Sequence, residues 1–161
     1  MIGSQSLPVS ENCFVCGKDN PYGLRLRFRH HDGVVSTDLT LPEHLMGFEQ
    51  RTHGGIVAGL LDEAMGWATV IASNRFTYTA EMTVRYRDRV PVGEPLTVTG
   101  RVDRATRRLL FASAVIRGEG HAELASATAK FMTVSEEETQ RIADALIYSP
   151  SCWRREPSPT L

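Results

Sequence analysis

Residues 52–73 read THGGIVAGLLDEAMGWATVIAS, and their pattern predicts one long helix, from about Gly54 to Ser73, that begins at a glycine pair. At about 100° per residue, one face of this helix is apolar and wide enough to lie against a hydrophobic core. That face contains Ile56, Val57, Leu60, Leu61, Ala64, Trp67, Ala68 and Ile71. We therefore expect the rest of the chain to pack around this helix.

The opposite face of the predicted helix carries small residues around one carboxylate. It contains Ala58, Gly59, Asp62, Gly66 and Thr69. Each glycine costs roughly 1 kcal/mol relative to alanine inside a helix, so we expect a backbone or a ligand to approach this face closely. Asp62 lies in the middle of the face, whereas Glu63 points about 100° away from it.

The start of the helix, His53-Gly54-Gly55, is a candidate site for an oxyanion or a phosphate. The first turn of a helix leaves backbone N–H groups unpaired at the positive end of the helix dipole. We expect Asp62, two turns further on, to face the same bound group. The alternative is a simple tight turn with a solvated Asp62, and the residues alone favour neither interpretation.

Length and composition are those of one ordinary globular domain. The 161 residues carry a formal net charge of −1, which gives no reason to expect nucleic acid or a membrane as a partner. No segment approaches the ~20 apolar residues of a membrane span, and the first residues lack the basic and apolar regions of a secretory signal. The three cysteines are too few for a disulfide framework, so we expect a reducing, cytoplasmic setting.

The segment CFVCGKDNPYG, residues 13–23, follows a polar stretch, 1–12, that we expect to be a flexible arm. Cys13 and Cys16 have the spacing of zinc ligands, and the further ligands considered are His30, His31 and Cys152. Because a zinc site needs four ligands, or three and a water, and no second ligand pair follows, we expect a turn with small buried cysteines and no metal.

Alternating apolar and polar residues predict strands on both sides of the helix. The predicted strands are 24–29, 34–41, 76–87, 95–102, 109–117 and 122–134. We expect the last four to form an antiparallel meander, followed by a short helix from Ser135 to about residue 147 and a disordered tail, 149–161. The order predicts an α+β fold, one domain over 13–148, in which one antiparallel sheet wraps around the helix.

The motif HGGIVAGLLDEAMG resembles that of the hotdog-fold acyl-CoA thioesterases of the PaaI-like (phenylacetate-type) branch. It is preceded here by CFVCGKDNPYGLRLRF and followed by YTAEMTVRYRDRVPVGEPLTVTGRV, so the resemblance covers residues 13–134. It implies a hotdog fold, with an antiparallel sheet around a long central helix. It also implies homodimers or homotetramers with active sites at the dimer interface.

The resemblance also implies roles for individual residues. Asp62 corresponds to the catalytic carboxylate, and Gly55 with Gly54 corresponds to the helix N-terminus that polarises the thioester carbonyl. His53 is the motif histidine that supports this loop. Thr79 corresponds to a Ser/Thr position that assists the attacking water from the partner chain.

Two further positions bear on the mechanism. Glu81 lies two residues after Thr79 on the same predicted strand face and is a weaker catalytic candidate. Some relatives carry Asn or Gln six residues before the motif histidine, where this chain has Gly47. Gln50 or His44 are the candidates to replace that amide.

Thioester hydrolysis requires a nucleophile and stabilisation of charge on the carbonyl oxygen. Asp62 could activate water as a general base or attack directly to give an anhydride, and the sequence does not choose between these. The Gly55 N–H would bind the oxyanion, and no metal or redox cofactor is required. The candidates to bind the CoA phosphates lie at the end of one strand and around one turn: Arg85, Arg87, Arg89, Arg104, Arg107 and Arg108.

Two other functions remain open at this point. Hotdog folds also host enoyl-CoA hydratases and dehydratases, which need a histidine and an acid poised across the site. A non-catalytic acyl-CoA-binding protein is the third possibility, although no helix-turn-helix pattern of a DNA-binding sensor is visible. CoA release, enoyl-CoA hydration and binding without release distinguish the three.

Overall fold

The computed structural model describes residues 3–156. The strands are β1 (Gln5–Ser6), β2 (Arg29–His31), β3 (Val34–Thr40), β4 (Met46–Phe48), β5 (Arg51–Thr52), β6 (Thr77–Tyr86), β7 (Pro95–Ala105), β8 (Leu109–Arg117) and β9 (Glu123–Thr133). The helices are α1 (Gly54–Ser73) and α2 (Glu136–Asp144), with short 3-10 turns at Glu43–Leu45 and Glu119–His121.

One antiparallel sheet wraps around α1, as the sequence predicts. Its 7 strands run in the order β1-β2-β3-β7-β8-β9-β6, and β4 and β5 form a separate 2-stranded sheet just before the helix. The helix packs against β3, β7, β8, β9 and β6. The centre of α1 is fully enclosed, with Leu60, Leu61 and Ala64 each 0% exposed. These residues belong to the predicted apolar face.

The backbones of the sheet and the central helix approach each other closely at Gly100 in β7. A Cβ atom at this position would lie 2.6 Å from the carbonyl carbon and oxygen of Ala64. By contrast, a Cβ at Gly59 or Gly66 would meet only side-chain atoms, at 3.9 Å and 3.8 Å. Among the described residues of one chain, no backbone therefore approaches Gly59 or Gly66 as closely as expected. The close contact between helix and sheet is made at Gly100 instead.

The predicted meander is wrong at its first strand. β7, β8 and β9 are consecutive neighbours, but β6 pairs with β9 and lies at the edge of the sheet. β7 pairs instead with β3 on its other side. The chain therefore crosses from one edge of the sheet to its interior between β6 and β7, and within residues 3–156 the long strand β6 pairs with β9 alone.

The predicted strand 24–29 is also wrong, since only Arg29 belongs to a strand. Arg25 adopts a left-handed backbone conformation (φ 53°), which interrupts an extended chain. The Leu24 N–H donates to the Phe14 carbonyl at 2.8 Å, so this segment pairs with the turn before it. The alternation did predict which side chains face inward, because Phe28 is buried.

Both ends of the described chain are packed, in contrast to the flexible arm 1–12 and disordered tail 149–161 expected from composition. β1 pairs with β2 at the sheet edge, and Leu7 is buried. The Trp153 N–H donates to the Ser6 carbonyl at 2.8 Å, and Cys152 is buried. The remainder of the tail, 157–161, lies outside the described residues.

One helix meets the length and composition of a membrane span, contrary to the sequence-based expectation. α1 has 20 residues and a mean hydropathy of 1.4. It is the core helix of this fold, because the sheet covers its apolar face.

Candidate active site

Asp62 on α1 forms a short hydrogen bond with Thr79 on β6. Thr79 Oγ1 donates to Asp62 Oδ1 at 2.6 Å. Hydrogen bonds to an ionised carboxylate are shorter and stronger than neutral ones, and this contact fixes one carboxylate oxygen. The other oxygen is left to bind water or substrate, so the pair has the form of an oriented base or nucleophile.

A β-bulge in β6 turns Thr79 towards the helix. Thr79 pairs with Phe131 and Glu81 pairs with Lys130, so the register shifts between them. Phe131 is buried against α1, and Thr79 shares its face. Lys130 Nζ lies 2.7 Å from Glu81 Oε2, and both side chains belong to the outer face. Glu81 is therefore not on the same face as Thr79, which corrects the sequence-based expectation.

The Asp62–Thr79 contact is made within one chain. The resemblance implied that the threonine would act from the partner chain, whereas the contact in the structure joins Thr79 to Asp62 of its own chain. The two residues are 17 positions apart, so one helix and the strand that follows it are enough to assemble the pair.

A cavity of about 190 Å³ adjoins this pair. It is lined by Asp62, Glu63, Gly66, Trp67, Val70, Phe76, Thr77, Thr79 and Phe131. The lining combines two carboxylates with aromatic and aliphatic side chains. Gly66 adds no side chain to this lining, and a Cβ there would lie 3.8 Å from the Phe131 ring.

Glu63 is a second carboxylate that lines this cavity. It was not predicted as a site residue, because helix geometry turns it about 100° away from Asp62. Trp67 Nε1 donates to Glu63 Oε1 at 3.2 Å, one helical turn away. Burial, followed by the negative charge of Cys13, raises the pKa of Glu63 to about 7. The signal that could have identified it is the i, i+4 spacing of Glu63 and Trp67 on the predicted helix.

The thiols of Cys13 and Cys16 lie against Glu63. Cys13 Sγ is 3.9 Å from each oxygen of the Glu63 carboxylate. A hydrogen bond from the Cys16 side chain lowers the pKa of Cys13 to about 5, and the same contact raises the pKa of Cys16. The cysteine pair is thus a chemical neighbour of the cavity and not a remote turn.

His53 caps the start of α1. Its Nδ1 accepts a hydrogen bond from the Gly55 N–H at 3.0 Å. The Gly55 N–H, expected to be open for an oxyanion, is therefore occupied in the structure. Among the described residues the Gly54 N–H has no acceptor. The Tyr86 hydroxyl donates to the Gly54 carbonyl at 2.9 Å, a contact that the sequence did not predict.

The helix start and Asp62 are too far apart to act on one carbonyl within a single chain. Seven residues separate Gly55 from Asp62, which corresponds to about 10 Å along a helix axis. An oxyanion donor must lie roughly 3 Å from the carbonyl oxygen, so one small reacting group does not span this distance. The expectation that Asp62 faces the group bound at the helix start of its own chain therefore stays a prediction, and this spacing along the axis does not favour it.

The candidate CoA-binding arginines form two separate groups. Arg85, Arg87 and Arg89 are exposed near the end of β6 that lies beside the helix start, and Arg107 and Arg108 are exposed in the turn before β8. The Thr133 N–H donates to the Arg108 carbonyl, and Thr133 pairs with Thr77 at the opposite end of β6. At about 3.3 Å per residue, ten-residue β6 places these groups roughly 30 Å apart.

Several of these arginines already have partners. Arg87 Nε lies 2.6 Å from Glu123 Oε1, and Arg89 Nη2 lies 3.4 Å from Glu94 Oε1. Arg104 stacks on the Phe111 ring at 3.9 Å. Within residues 3–156, Arg85, Arg107 and Arg108 make no ion pair, which leaves them the better phosphate candidates.

The residues proposed to replace the missing amide lie near the helix start. Gly47 is in β4, and a Cβ there would lie 3.3 Å from the His53 Cα, so a side chain would crowd the cap. Gln50 is at the exposed tip of the β4–β5 turn with a left-handed backbone (φ 59°). His44 is exposed in the preceding 3-10 turn. Neither side chain contacts Asp62 among the described hydrogen bonds.

Comparison with known proteins agrees with this architecture. The family model described as the thioesterase superfamily matches residues 50–125. The crystal structure of a thioesterase superfamily protein superposes with a TM-score of 0.72 at 28% identity, covering 77% of this chain and 61% of that one. The alignment thus spans less than two thirds of that relative's length.

Two less similar structures share the fold. The E. coli PaaI protein from the phenylacetic acid degradation operon has a TM-score of 0.60 at 18% identity, over 64% of this chain and 74% of that one. A hypothetical thioesterase from Streptococcus pneumoniae, solved with coenzyme A, has a TM-score of 0.60 at 19% identity, over 65% and 84%. No curated protein matches this sequence. From these matches and the sheet wrapped around its central helix, this chain has the hotdog fold, and its residues 50–125 are similar to the thioesterase superfamily.

Proposed function

We propose that the protein is an acyl-CoA thioesterase that hydrolyses the thioester bond to give a free acid and CoA. The observation that carries this proposal is the Asp62–Thr79 pair at 2.6 Å beside a partly apolar cavity. An oriented carboxylate can supply the nucleophile, or activate water, for acyl transfer. The coenzyme A present in the structure of the pneumococcal relative supports a CoA ester as the substrate.

In this mechanism Asp62 acts either as the general base for a water or as the nucleophile that forms an anhydride. Thr79 holds the carboxylate in place through its hydroxyl hydrogen bond. The thioester carbonyl is polarised at the Gly54–Gly55 helix start. The Gly54 N–H is available to donate to the carbonyl oxygen. The Gly55 N–H donates to His53 Nδ1 in the structure and would donate to the oxyanion instead when substrate is bound. No metal or redox cofactor takes part in this chemistry.

The active site is composite in this proposal, with Asp62 from one protomer and the helix start from its partner. The separation of about 10 Å between the two groups along α1 supports a contribution from a second chain. β6 offers a surface for it, because it is a ten-residue edge strand with exposed Tyr78 and Tyr86. Unprotected edge strands pair readily with other chains. We propose a homodimer, or a dimer of such dimers.

A composite site also accounts for the two arginine groups. Arg85, Arg87 and Arg89 lie on the side of the helix start, whereas Arg107 and Arg108 lie on the side of Asp62. If the helix start of one protomer faces Asp62 of another, both groups border the same CoA. The proposal includes neither nucleic acid nor a membrane as a partner, and the free thiols fit a reducing cytoplasm.

The direct test is to incubate the purified protein with a panel of acyl-CoAs and to measure free CoA by chromatography. A thiol reagent is unsuitable, because Cys13 has a lowered pKa and would itself react. We expect CoA release from at least one aliphatic or aromatic ester. Hydration of an enoyl-CoA would identify a hydratase instead, and saturable binding without release would identify a binding protein.

The Asp62→Asn variant tests the residue assignment. It keeps the shape of the side chain but removes its ability to accept a proton or attack, so we expect turnover to fall by at least about 100-fold. Substrate binding and oligomeric state should be unchanged. Glu81→Gln is the matched control, because this carboxylate lies on the outer face beside Lys130. Near wild-type hydrolysis by Asp62→Asn would exclude Asp62 as the base or nucleophile.

A further inference from the structure

We infer that Cys13, Cys16 and Glu63 form a zinc site that joins the N-terminal turn to the middle of α1. The sequence predicted no metal at these cysteines, because no second ligand pair follows them and the further ligands considered were His30, His31 and Cys152. The third ligand supplied by the structure is Glu63, which is distant in sequence. The inference is independent of the proposed hydrolysis, which needs no metal.

The geometry of the three side chains fits one ion. Their Sγ and carboxylate ligand atoms all lie within 4.8 Å of one another. Cys13 Sγ lies 3.9 Å from both Glu63 oxygens. A tetrahedral zinc with Zn–S of about 2.3 Å and Zn–O of about 2.0–2.2 Å holds its ligand atoms roughly 3.5–3.8 Å apart. Small side-chain rotations therefore bring the ligands to coordination distance.

The groups around the cluster orient its ligands. Cys13 Sγ accepts hydrogen bonds from the backbone N–H groups of Val15 (3.3 Å) and Cys16 (3.5 Å), which favour the thiolate that binds metal. Trp67 Nε1 donates to one oxygen of Glu63 and leaves the other free to coordinate. Hydrogen bonds of this kind to metal ligands fix their orientation and contribute to affinity.

The cluster also lacks a cationic side chain as counter-charge. Within residues 3–156, Glu63 forms no ion pair with a lysine or an arginine. The guanidinium of Arg27 is close, but it donates to the Cys16 backbone carbonyl at 3.0 Å. Cys16 itself is buried. Partly buried thiolates and carboxylates with no cation are costly, so such groups either keep their protons or bind a metal.

Two thiolates and one carboxylate favour zinc over the harder cations. Calcium and magnesium prefer oxygen ligands alone, whereas zinc binds sulfur and oxygen together. Three protein ligands leave a fourth position for water. Because Glu63 is next to Asp62 in sequence, the ion would hold the turn of residues 13–17 against the helix beside the cavity, and its role would be to stabilise that wall.

The experiment uses the full-length protein, purified without chelator and with a phosphine reductant. Elemental analysis should find close to one zinc per chain. The metal-free protein is then titrated with Co²⁺, and two thiolate ligands should produce a sulfur-to-cobalt charge-transfer band. Zinc affinity is measured by competition with a chromophoric chelator.

Three variants locate the site. Cys16→Ser should abolish the cobalt charge-transfer band or reduce it to that of a single thiolate. Glu63→Gln should weaken zinc binding by about 100-fold or more, since loss of outer-shell partners alone costs about 10–100-fold. Cys152→Ser is the matched control, because it removes a buried cysteine outside the cluster and should bind zinc as the wild type does.

Several results would overturn the inference. One is wild-type protein without zinc that also fails to bind Co²⁺ after reduction. Another is a Glu63→Gln variant with unchanged zinc affinity, which would mean that the cysteines alone hold an adventitious ion. Equal zinc loss in Cys152→Ser and Cys16→Ser would indicate a general effect on folding. None of these results bears on CoA release, so the two proposals fail independently.

Discussion

At the scale of single residues, Thr79 acts on Asp62 through one hydroxyl, and this defines a prediction. Thr79→Ala removes a hydrogen bond to a charged group, which is worth roughly 1.5–3 kcal/mol, or about 10–100-fold in rate. We therefore expect a loss of that size in kcat for acyl-CoA hydrolysis, with a smaller effect on KM. Thr79→Ser keeps the hydroxyl and should retain most activity, as measured by CoA release. Equal losses in both variants would show that the methyl group matters and the hydrogen bond does not.

At the scale of residues, the sequence identifies candidates only where a pattern is local. Asp62 stands out because it is the one acid on a helix face of small residues, and His53 because it precedes the glycine pair. Glu63 was set aside because helix geometry turns it away from Asp62. Its contact with Cys13, which is 50 positions distant, is made only through the fold. A contact between residues so distant in the chain has no characteristic sequence spacing, so a single sequence does not reveal it.

At the scale of elements, the fit between α1 and β7 depends on Gly100. Alanine at this position would place its Cβ 2.6 Å from the Ala64 backbone, and overpacking of this kind costs about 1–3 kcal/mol. We expect Gly100→Ala to lower the free energy of unfolding by that amount in urea titrations. Gly59→Ala, compared at the same protein concentration, should be neutral or gain up to about 1 kcal/mol from helix propensity. A neutral Gly100→Ala would show that the helix can shift freely on the sheet.

The elements themselves were predicted with unequal success, for physical reasons. α1 and β8 have the predicted bounds, because their apolar period is uninterrupted. β6 alternates without fault in sequence, yet the bulge between Thr79 and Glu81 reverses its faces. A bulge is imposed by the partner strand, so the alternation of one strand does not show it. The bulge turns the Thr79 side chain towards α1 and the Glu81 side chain towards the outer face, so only Thr79 can contact Asp62.

At the scale of the whole molecule, the order of strands determines which strand lies at the edge of the sheet and is open to a second chain. Sequence order favoured a meander, because neighbouring strands usually pair. The structure instead places β6 at the edge, beside β9 and next to no other strand among the described residues. The edge brings Thr79 and the exposed face of α1 to the same open side of the protomer. The proposed dimer uses this side.

If the active site combines Asp62 of one protomer with the helix start of its partner, two inactive variants should complement each other, which a site within one chain would not allow. Proline at position 54 removes the N–H proposed to polarise the carbonyl, and the fold accommodates it. Position 54 is the first of the helix, where proline is favoured, and the preceding His53 has the extended backbone (φ −56°, ψ 134°) that proline requires. Gly54→Pro alone should lose about 100-fold or more in turnover. Gly54→Ala keeps the N–H and is the matched control.

Co-expression of the Gly54→Pro and Asp62→Asn chains should then restore activity. Half of randomly assembled dimers contain one chain of each kind, and one of their two sites combines an intact helix start with an intact Asp62. The expected rate is about a quarter of that of the wild type, although each variant alone is nearly inactive. Chains tagged differently allow the mixed dimer to be isolated, and its rate should be about half. If the mixed dimer is as inactive as its parents, the carboxylate and the helix start act within the same chain, and the geometry of α1 would have to change on substrate binding to bring them together.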